Sequence, residues 1–421
     1  MNKKVCGKKK ALKIIISILS VIVVFVAATQ LVGYIGYKSN LKKAQSFDNA
    51  GTRQLDFENY ATGYWNIYTD SDIKVMQLTD IHLGGGAFSI SKDLKALNAV
   101  AAMITEEKPD FVIATGDLIY PMIIQAGTIN NSCGARLFAE LMESLGVYWT
   151  YTFGNHDVEV HSLYSKAELN EIFSEYPHCF AQTVEGIDGY TNKLYNIVNS
   201  DGVITRSLVL LDSHDYTDGY IPGISFKYDN IHENQVEWYK ETVLSLNGKN
   251  EQIISSLNDE KQKEYAQLTT VPSSVYFHIP IREYSDAWTE FSANDYLDTE
   301  NVKYNYGLAG EDEETVYCGE GEDNLFEYML ELGSTDSAFC GHDHYNIFSV
   351  NYKGINLSYG MYIDYLAYFG IKNKGSQRGC TMITYYKDGN MEFKQENYYQ
   401  DKYEPVYEKE TVTMQFEGIS Y

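Results

Sequence analysis

The sequence predicts an α/β fold standing behind an N-terminal transmembrane helix, and three observations carry that expectation. Short apolar runs alternate with helical stretches through the first half of the chain's body, polar clusters close those runs, and one long segment near the amino terminus carries no charge. Strand, helix, strand, helix, strand is the pattern of βαβ units with a parallel sheet.

Six lysines, Lys3, Lys4, Lys8, Lys9, Lys10 and Lys13, precede Ile14 to Tyr37, a stretch of 24 residues without a charged side chain. As a helix rising about 1.5 Å per residue it would span about 36 Å, enough to cross a hydrocarbon core of about 30 Å. Ala27-Ala28-Thr29 offers small residues where a signal peptidase could cut. The stretch nevertheless outruns the roughly 7 to 15 residues of a signal-peptide core, so an uncleaved anchor is expected. The larger basic cluster lies before the span, which keeps it in the cytoplasm and places everything after about residue 38 outside the cell membrane. The expected organisation is a cytoplasmic tail (1–13), a single-pass anchor (14–37), a spacer and lead-in strand (38–70), a main domain (71–385) and a C-terminal extension packed on it (386–421).

Hydrophobic residues at 44% and charged residues at 22% fit a chain that folds rather than one that stays disordered. The net charge is −25, and setting aside the six leading lysines leaves 27 basic against 58 acidic side chains, about −31 for the exported part. Such a field repels polyanions, so no nucleic-acid partner is expected. A small phosphorylated substrate is compatible with it where bound cations reverse the sign locally. Of six cysteines, Cys133, Cys179, Cys318, Cys340 and Cys380 follow the span, an odd number without a CxxC pair, and they read as ordinary buried thiols.

The body begins near Asp72. The run Ile73 to Leu78 is followed by Asp93 to Glu107, with Leu94, Leu97, Ala101 and Ile104 at helical spacing and Pro109 closing the helix. Phe111 to Ala114 is a second run, Ala135 to Leu145 a second helix, and Val147 to Phe153 a third run. Ser207 to Leu211 and Ser274 to Phe277 follow, separated by a helical segment containing Gln235, Trp238, Tyr239 and Leu244. Residues 281–335 read as an insertion rich in Tyr, Asp and Glu, with Glu311 to Glu314 a solvated face. Ala338 to Cys340 leads to Gly341, after which Tyr345 to Tyr359 and Cys380 to Phe393 alternate as antiparallel strands do.

Polar clusters end these runs: Asp80 and His82, Asp117, then Asn155, His156 and Asp157, then His278, and finally His342 and His344. In an open α/β sheet the crevice beyond the carboxyl ends of the strands is where ligands bind, so clusters distant in sequence can converge there. Five of the chain's nine histidines lie in these clusters. Glycines accompany three of them, at Gly116, Gly154 and Gly341, where a strand must turn sharply or let backbone approach a ligand. Carboxylate and imidazole together suit divalent first-row metals, and a carboxylate can bridge two ions. Asp117 reads as that bridge, with Asp80, His82 and His344 completing one site and Asn155, His278 and His342 the other. Two metals can clamp a phosphate and share a hydroxide.

Thr79-Asp80-Ile81-His82, Thr115-Gly116-Asp117, Gly154-Asn155-His156-Asp157, His278 and Gly341-His342-Asp343-His344 resemble, in order, the five motifs of the calcineurin-like metallophosphoesterase superfamily. Leu211-Asp212-Ser213, Phe277-His278-Ile279-Pro280-Ile281 and Phe339-Cys340-Gly341-His342-Asp343-His344 resemble a branch related to purple acid phosphatases. The similarity runs over about residues 72–370. It implies a four-layer fold of two central β-sheets flanked by helices and a dinuclear centre of Fe, Mn or Zn, in divalent or mixed-valence form. It implies Asp80, His82, Asp117 and His344 on the first metal and Asp117, Asn155, His278 and His342 on the second. His156 would then protonate the leaving oxygen, with Asp157 orienting its ring. Tyr120, three residues after Asp117, stands where purple acid phosphatases place a phenolate ligand. Those enzymes lack a histidine where this chain has His82, so His82 is expected as the ligand and Tyr120 as a wall of the cleft. The activity implied is hydrolysis of a phosphate ester, a phosphomonoester in preference to a diester, by a metal-bridging hydroxide. A surface binding protein that keeps the fold without catalysis is the rival reading.

Overall fold

The computed structural model describes residues 2–217, 227–321, 323–368, 377–404 and 409, with side chains from residue 12 onward. Its five-stranded sheet contains β3 (Ile73–Leu78), β4 (Phe111–Thr115), β5 (Tyr148–Thr152), β13 (Gly379–Tyr385) and β14 (Met391–Asn397), in the order β14-β13-β3-β4-β5. The nine-stranded sheet contains β1 (Asp56–Ala61), β2 (Tyr64–Tyr68), β6 (Lys193–Val198), β7 (Ile204–Leu210), β8 (Ser273–Tyr276), β9 (Val302–Tyr306), β10 (Thr335–Cys340), β11 (Ser349–Tyr352) and β12 (Ile355–Tyr359). Its order is β1-β2-β6-β7-β8-β10-β12-β11-β9. The strands that carry the polar clusters run parallel, β3 with β4 and β5, and β8 with β7 and β10.

Side chains alternate across a strand, and in these central strands both faces are covered. Ile73, Val75, Phe111 and Ile113 from one sheet meet Tyr195, Leu208, Leu210, Tyr276 and Phe339 from the other, forming the core between the sheets. Met76, Leu78, Val112 and Ala114 point the opposite way, against α2 (Ile90–Glu107) and α3 (Asn131–Leu145). Val209, Leu211, Val275 and Ala338 do the same against α5 (Glu233–Ser256), α7 (Arg282–Ala293) and α8 (Leu325–Leu332), while α4 (Lys166–Ser174) adjoins α3 and α6 (Asp259–Glu264) adjoins α5. Helix, sheet, sheet, helix is the four-layer α/β arrangement that the family resemblance implies. The described cysteines are all free thiols.

The domain's edges differ from the sequence reading. The helix that opens the chain, α1 (Asn2–Ala44), runs on past Tyr37 and is long and apolar enough to cross a membrane. Its buried positions Gly33, Gly36, Tyr37, Asn40 and Ala44 recur at helical spacing and face α2 and α3. Between residues 45 and 70 the chain forms two strands, β1 and β2, at an edge of the larger sheet. The expected boundary at residue 385 cuts a hairpin, because β14 pairs along β13 from Met391 to Asn397. Most of the extension beyond residue 404 lies outside the described residues. The 281–335 segment supplies α7, β9 and α8, so it builds the larger sheet and its helical cover. Its acidic run is partly structural: Trp288 Nε1 donates to Glu314 and the backbone N–H of Tyr345 to Glu311.

Candidate metal centre

Each central strand stops just before a charged side chain, and the backbone there turns abruptly. Asp80, His82, Asp117 and His342 all have positive φ, at 50°, 53°, 51° and 81°, a region that L-residues rarely occupy. Four such residues in one place mark backbone held under strain by its surroundings. The neighbouring glycines are required by close approach. A Cβ on Gly341 would overlap Thr79 Oγ1, one on Gly154 would overlap the Asp117 carboxylate, and one on Gly116 would stand 2.5 Å from His278 Nδ1. Backbone bonds tie neighbouring turns together within each sheet: Asp80 N–H donates to Gly116 O at 3.1 Å and Gly341 N–H to His278 O at 3.0 Å.

These turns bring the sequence-predicted residues into two buried groups that share one carboxylate. Ligand-type atoms of Asp80, His82, Asp117 and His344 lie within 4.8 Å of one another, and so do those of Asp117, His278 and His342. Asp117 Oδ2 is 3.3 Å from His82 Nε2 and 3.3 Å from His278 Nε2. Asp80 Oδ1 is 3.4 Å from His344 Nε2. Asn155 Oδ1 joins the second group, 3.3 Å from His278 Nε2, while its Nδ2 donates to Tyr216 Oη at 2.8 Å and so fixes which way the amide points. His156 lies at the rim, half-buried, its backbone N–H donating to Asp117 Oδ1 at 2.7 Å. Tyr120 is a neighbour, its ring 5.0 Å from those of His82 and His156.

The structure corrects one role and adds residues that the sequence reading missed. Asp157 does not touch the His156 ring. Its carboxylate instead accepts the backbone N–H groups of Gly154, Asp117 and Ile119 at 2.7, 3.0 and 2.9 Å, which locks the two turns together. Glu159 holds the ring, with Oε1 2.6 Å from His156 Nδ1. Asp364, fully buried, faces both histidines of the first group, 3.6 Å from His82 Nδ1 and 3.3 Å from His344 Nδ1. The sequence carried a faint sign of it, since Asp364 is the one acid between Asp343 and Asp388. Asp343, between two predicted ligands, turns away and accepts from Tyr359 Oη at 2.6 Å. Ser213 Oγ accepts the N–H of His278 and of Ile279, positioning that turn.

Burial raises every carboxyl here; at Asp80, Asp117 and Asp364 the histidines beside them win, whereas burial keeps Asp157 and Asp343 raised, to about 7. The charges of His278 and His156 hold Asp117 well below the usual carboxylate range, and His344 and His82 do the same for Asp364. Burial would lower the histidines, yet Asp117 lifts His82 and His278 to about 9, and Asp364 with Asp80 lifts His344 to about 10. His342 goes the other way, pushed well below its ordinary value by burial and by His278, so it stays a neutral imidazole. Anionic carboxylates packed among imidazoles in a water-poor site need positive charge, from protons or from cations.

The donor set fits a metal pair. Two carboxylates, four imidazoles and an amide oxygen converge on one buried spot, which suits divalent first-row ions. Atoms that each bind an ion at about 2.0–2.2 Å stand about 3 Å apart, close to the separations found here. His278 Nδ1 is 2.7 Å from Thr115 O, so an N–H there leaves the Nε2 lone pair facing Asp117.

Several plant proteins are similar over most of the chain. One is Probable inactive purple acid phosphatase 14 of Arabidopsis thaliana, 27% identical over 73% of this chain and 72% of its own length. Another is Probable inactive purple acid phosphatase 28 of the same plant, 25% identical over 71% and 72%. Among solved structures, a dimetal phosphatase from Danio rerio aligns with a TM-score of 0.48 at 12% identity, over 77% of this chain and 96% of that one. The profile of the family described as Calcineurin-like phosphoesterase matches residues 73–346, well over half of the sequence, and the chain belongs to that family.

Proposed function

We propose that the protein is a membrane-anchored phosphoesterase that hydrolyses a phosphate ester, a phosphomonoester in preference to a diester, outside the cytoplasmic membrane. The observation that carries this reading is Asp117, whose Oδ2 stands 3.3 Å from a histidine of each group. Asp80, His82, Asp117 and His344 would hold one ion, and Asp117, Asn155, His278 and His342 the other, with Fe, Mn or Zn as candidate metals. A bound pair supplies charge neutralisation of the phosphate and a water of lowered pKa. The chain's own residues do the rest. Glu159 accepts from His156 Nδ1, which leaves Nε2 free to hold the proton that the leaving oxygen needs. Asp157 braces the Gly154 and Asp117 turns, and the Asp364 carboxylate keeps His82 and His344 aimed by their Nε2 atoms. In the N-terminal helix, α1 would anchor the chain with residues 1–13 in the cytoplasm.

A second reading has support in the names of the plant relatives, which call those proteins inactive. A catalytically silent binding protein would keep this fold and lose turnover. The two separate on one experiment: the full chain, purified with Mn, Fe or Zn, is assayed on a panel of soluble mono- and diesters while its metal content is measured. Two equivalents of metal with turnover, both lost in Asp117→Asn, supports the enzyme. Full metal occupancy without turnover on any ester sinks it.

A further inference from the structure

The apolar helix does not end before the folded domain begins. Gly33 and Gly36, both inside the uncharged stretch, are already buried against the loop that follows His82. A Cβ on Gly33 would stand 3.1 Å from Ala87 N, and one on Gly36 would overlap the Ile90 side chain. Asn40 Nδ2 donates to Ile90 O at 2.8 Å. Gly33 lies four residues before Tyr37, where the uncharged stretch ends, and four residues of helix rise about 6 Å. The loop carrying Phe88 is therefore held level with the end of the apolar span.

What adjoins that loop is apolar and exposed. Phe88 N–H donates to Ala126 O at 3.0 Å, and the Phe88 ring packs on Gly127. Just before it, Ile123 is exposed and Ile124 is 84% exposed. The next loop joins them, with His161 Nε2 3.1 Å from Pro121 O and Leu163 N–H donating to Ile129 O at 3.0 Å. In that loop Leu163 is exposed and Val160 is 92% exposed. No Asp, Glu, Lys or Arg occurs from Leu118 to Ala135, nor from Leu83 to Ser91, in a chain of net charge −25. Lys38 and Arg136 line a cavity of about 320 Å³ in the seam between α1 and these loops. An exposed apolar patch marks a surface that meets protein or lipid, and one held beside an apolar span is placed to meet lipid.

The same loops border the metal centre. Tyr120, beside His82 and His156, packs with Ala126, and Glu159, next to Val160, holds the His156 ring. We propose that Phe88, Ile123, Ile124, Val160 and Leu163 dock into the outer leaflet of the bilayer that α1 spans, which sets the metal centre at the headgroup plane, and that the substrate is a lipid phosphomonoester. The proposal rests on the anchor and esterase readings above. Elsewhere the domain is strongly acidic and is repelled by anionic headgroups, so the uncharged face is the one that approaches.

The four native tryptophans, Trp65, Trp149, Trp238 and Trp288, are buried, so a surface tryptophan reports its own surroundings. The full chain is reconstituted in phosphatidylcholine vesicles with brominated acyl chains, carrying Phe25→Trp, Ile124→Trp or Leu297→Trp. Phe25→Trp and Ile124→Trp are quenched and Leu297→Trp is not. An unquenched Phe25→Trp overturns the anchor, whereas a quenched Phe25→Trp with an unquenched Ile124→Trp overturns the docking alone. In the same vesicles kcat/KM for phosphatidic acid exceeds that for free glycerol phosphate at least tenfold, and Ile124→Asp narrows the ratio. Equal values in the unmodified protein, or no turnover of phosphatidic acid, overturn the lipid substrate, and no turnover on these two or on any ester of the soluble panel overturns the esterase reading instead.

Discussion

Glu159 Oε1 stands 2.6 Å from His156 Nδ1, and it holds the ring at the rim of the metal centre by that nitrogen. If His156 is the proton donor, Glu159→Gln lowers kcat about tenfold on an alkyl phosphate and His156→Gln lowers it about 10²- to 10⁴-fold. Both losses shrink on p-nitrophenyl phosphate, whose leaving group needs no proton. Steady-state kinetics on the two esters checks this, and equal losses on both remove His156 from the acid role.

Asp364 is the residue that most directly supports the first group, because it faces His82 and His344 on their far nitrogens. Loss of such a supporting carboxylate typically weakens a metal site by 10- to 100-fold. Asp364→Asn is expected to lower affinity for one of two ions by that factor. Competition with a chelator, read by metal analysis, measures it. An unchanged first ion would show that Asp364 supports the fold instead.

Gly154 has no room for a side chain, since a Cβ would meet the Asp117 carboxylate. Gly154→Ala forces Asp117 aside at a cost of about 1–3 kcal/mol and loosens the carboxylate common to both groups. Thermal melting together with metal content tests this, and both are expected to fall.

Lys193 lies buried beneath β5, its Nζ 3.2 Å from Thr150 Oγ1 and 3.1 Å from Tyr151 O, and burial pushes its pKa down to about 7. The unfolded chain keeps a value near 10.5, so between about 7 and 10.5 it binds more protons than the fold, and this group makes stability rise with pH. Below about 7 the penalty is complete. Lys193→Met is therefore expected to raise Tm by about 2 °C or more at pH 6, about 1 kcal/mol, with the gain shrinking toward pH 10. A gain that grows with pH contradicts it.

The metal-centre residues were legible because their chemistry is local in sequence. A strand must end before the chain can turn, and a turn at Gly116-Asp117 or Gly341-His342 announces itself by its glycine. The long uncharged stretch is equally local, and so are the apolar runs that predicted the parallel strands. Boundaries were less legible. The last turns of α1 mix apolar and charged residues because one face meets the domain and the other does not. The alternating run stops at Phe393, because Lys394 to Asn397 are all polar, and the full length of β14 shows only in its pairing with β13.

By itself the sequence determined the α/β order, the apolar helix and the residues at five strand ends, since each is written in periodicity or in a short motif. Only the tertiary structure decided that Glu159 rather than Asp157 holds His156, that Asp364 stands behind two histidines, and that apolar loops gather beside α1. Those relationships join residues through space with no periodic spacing between them, and they exist only once two sheets have packed and set the distances.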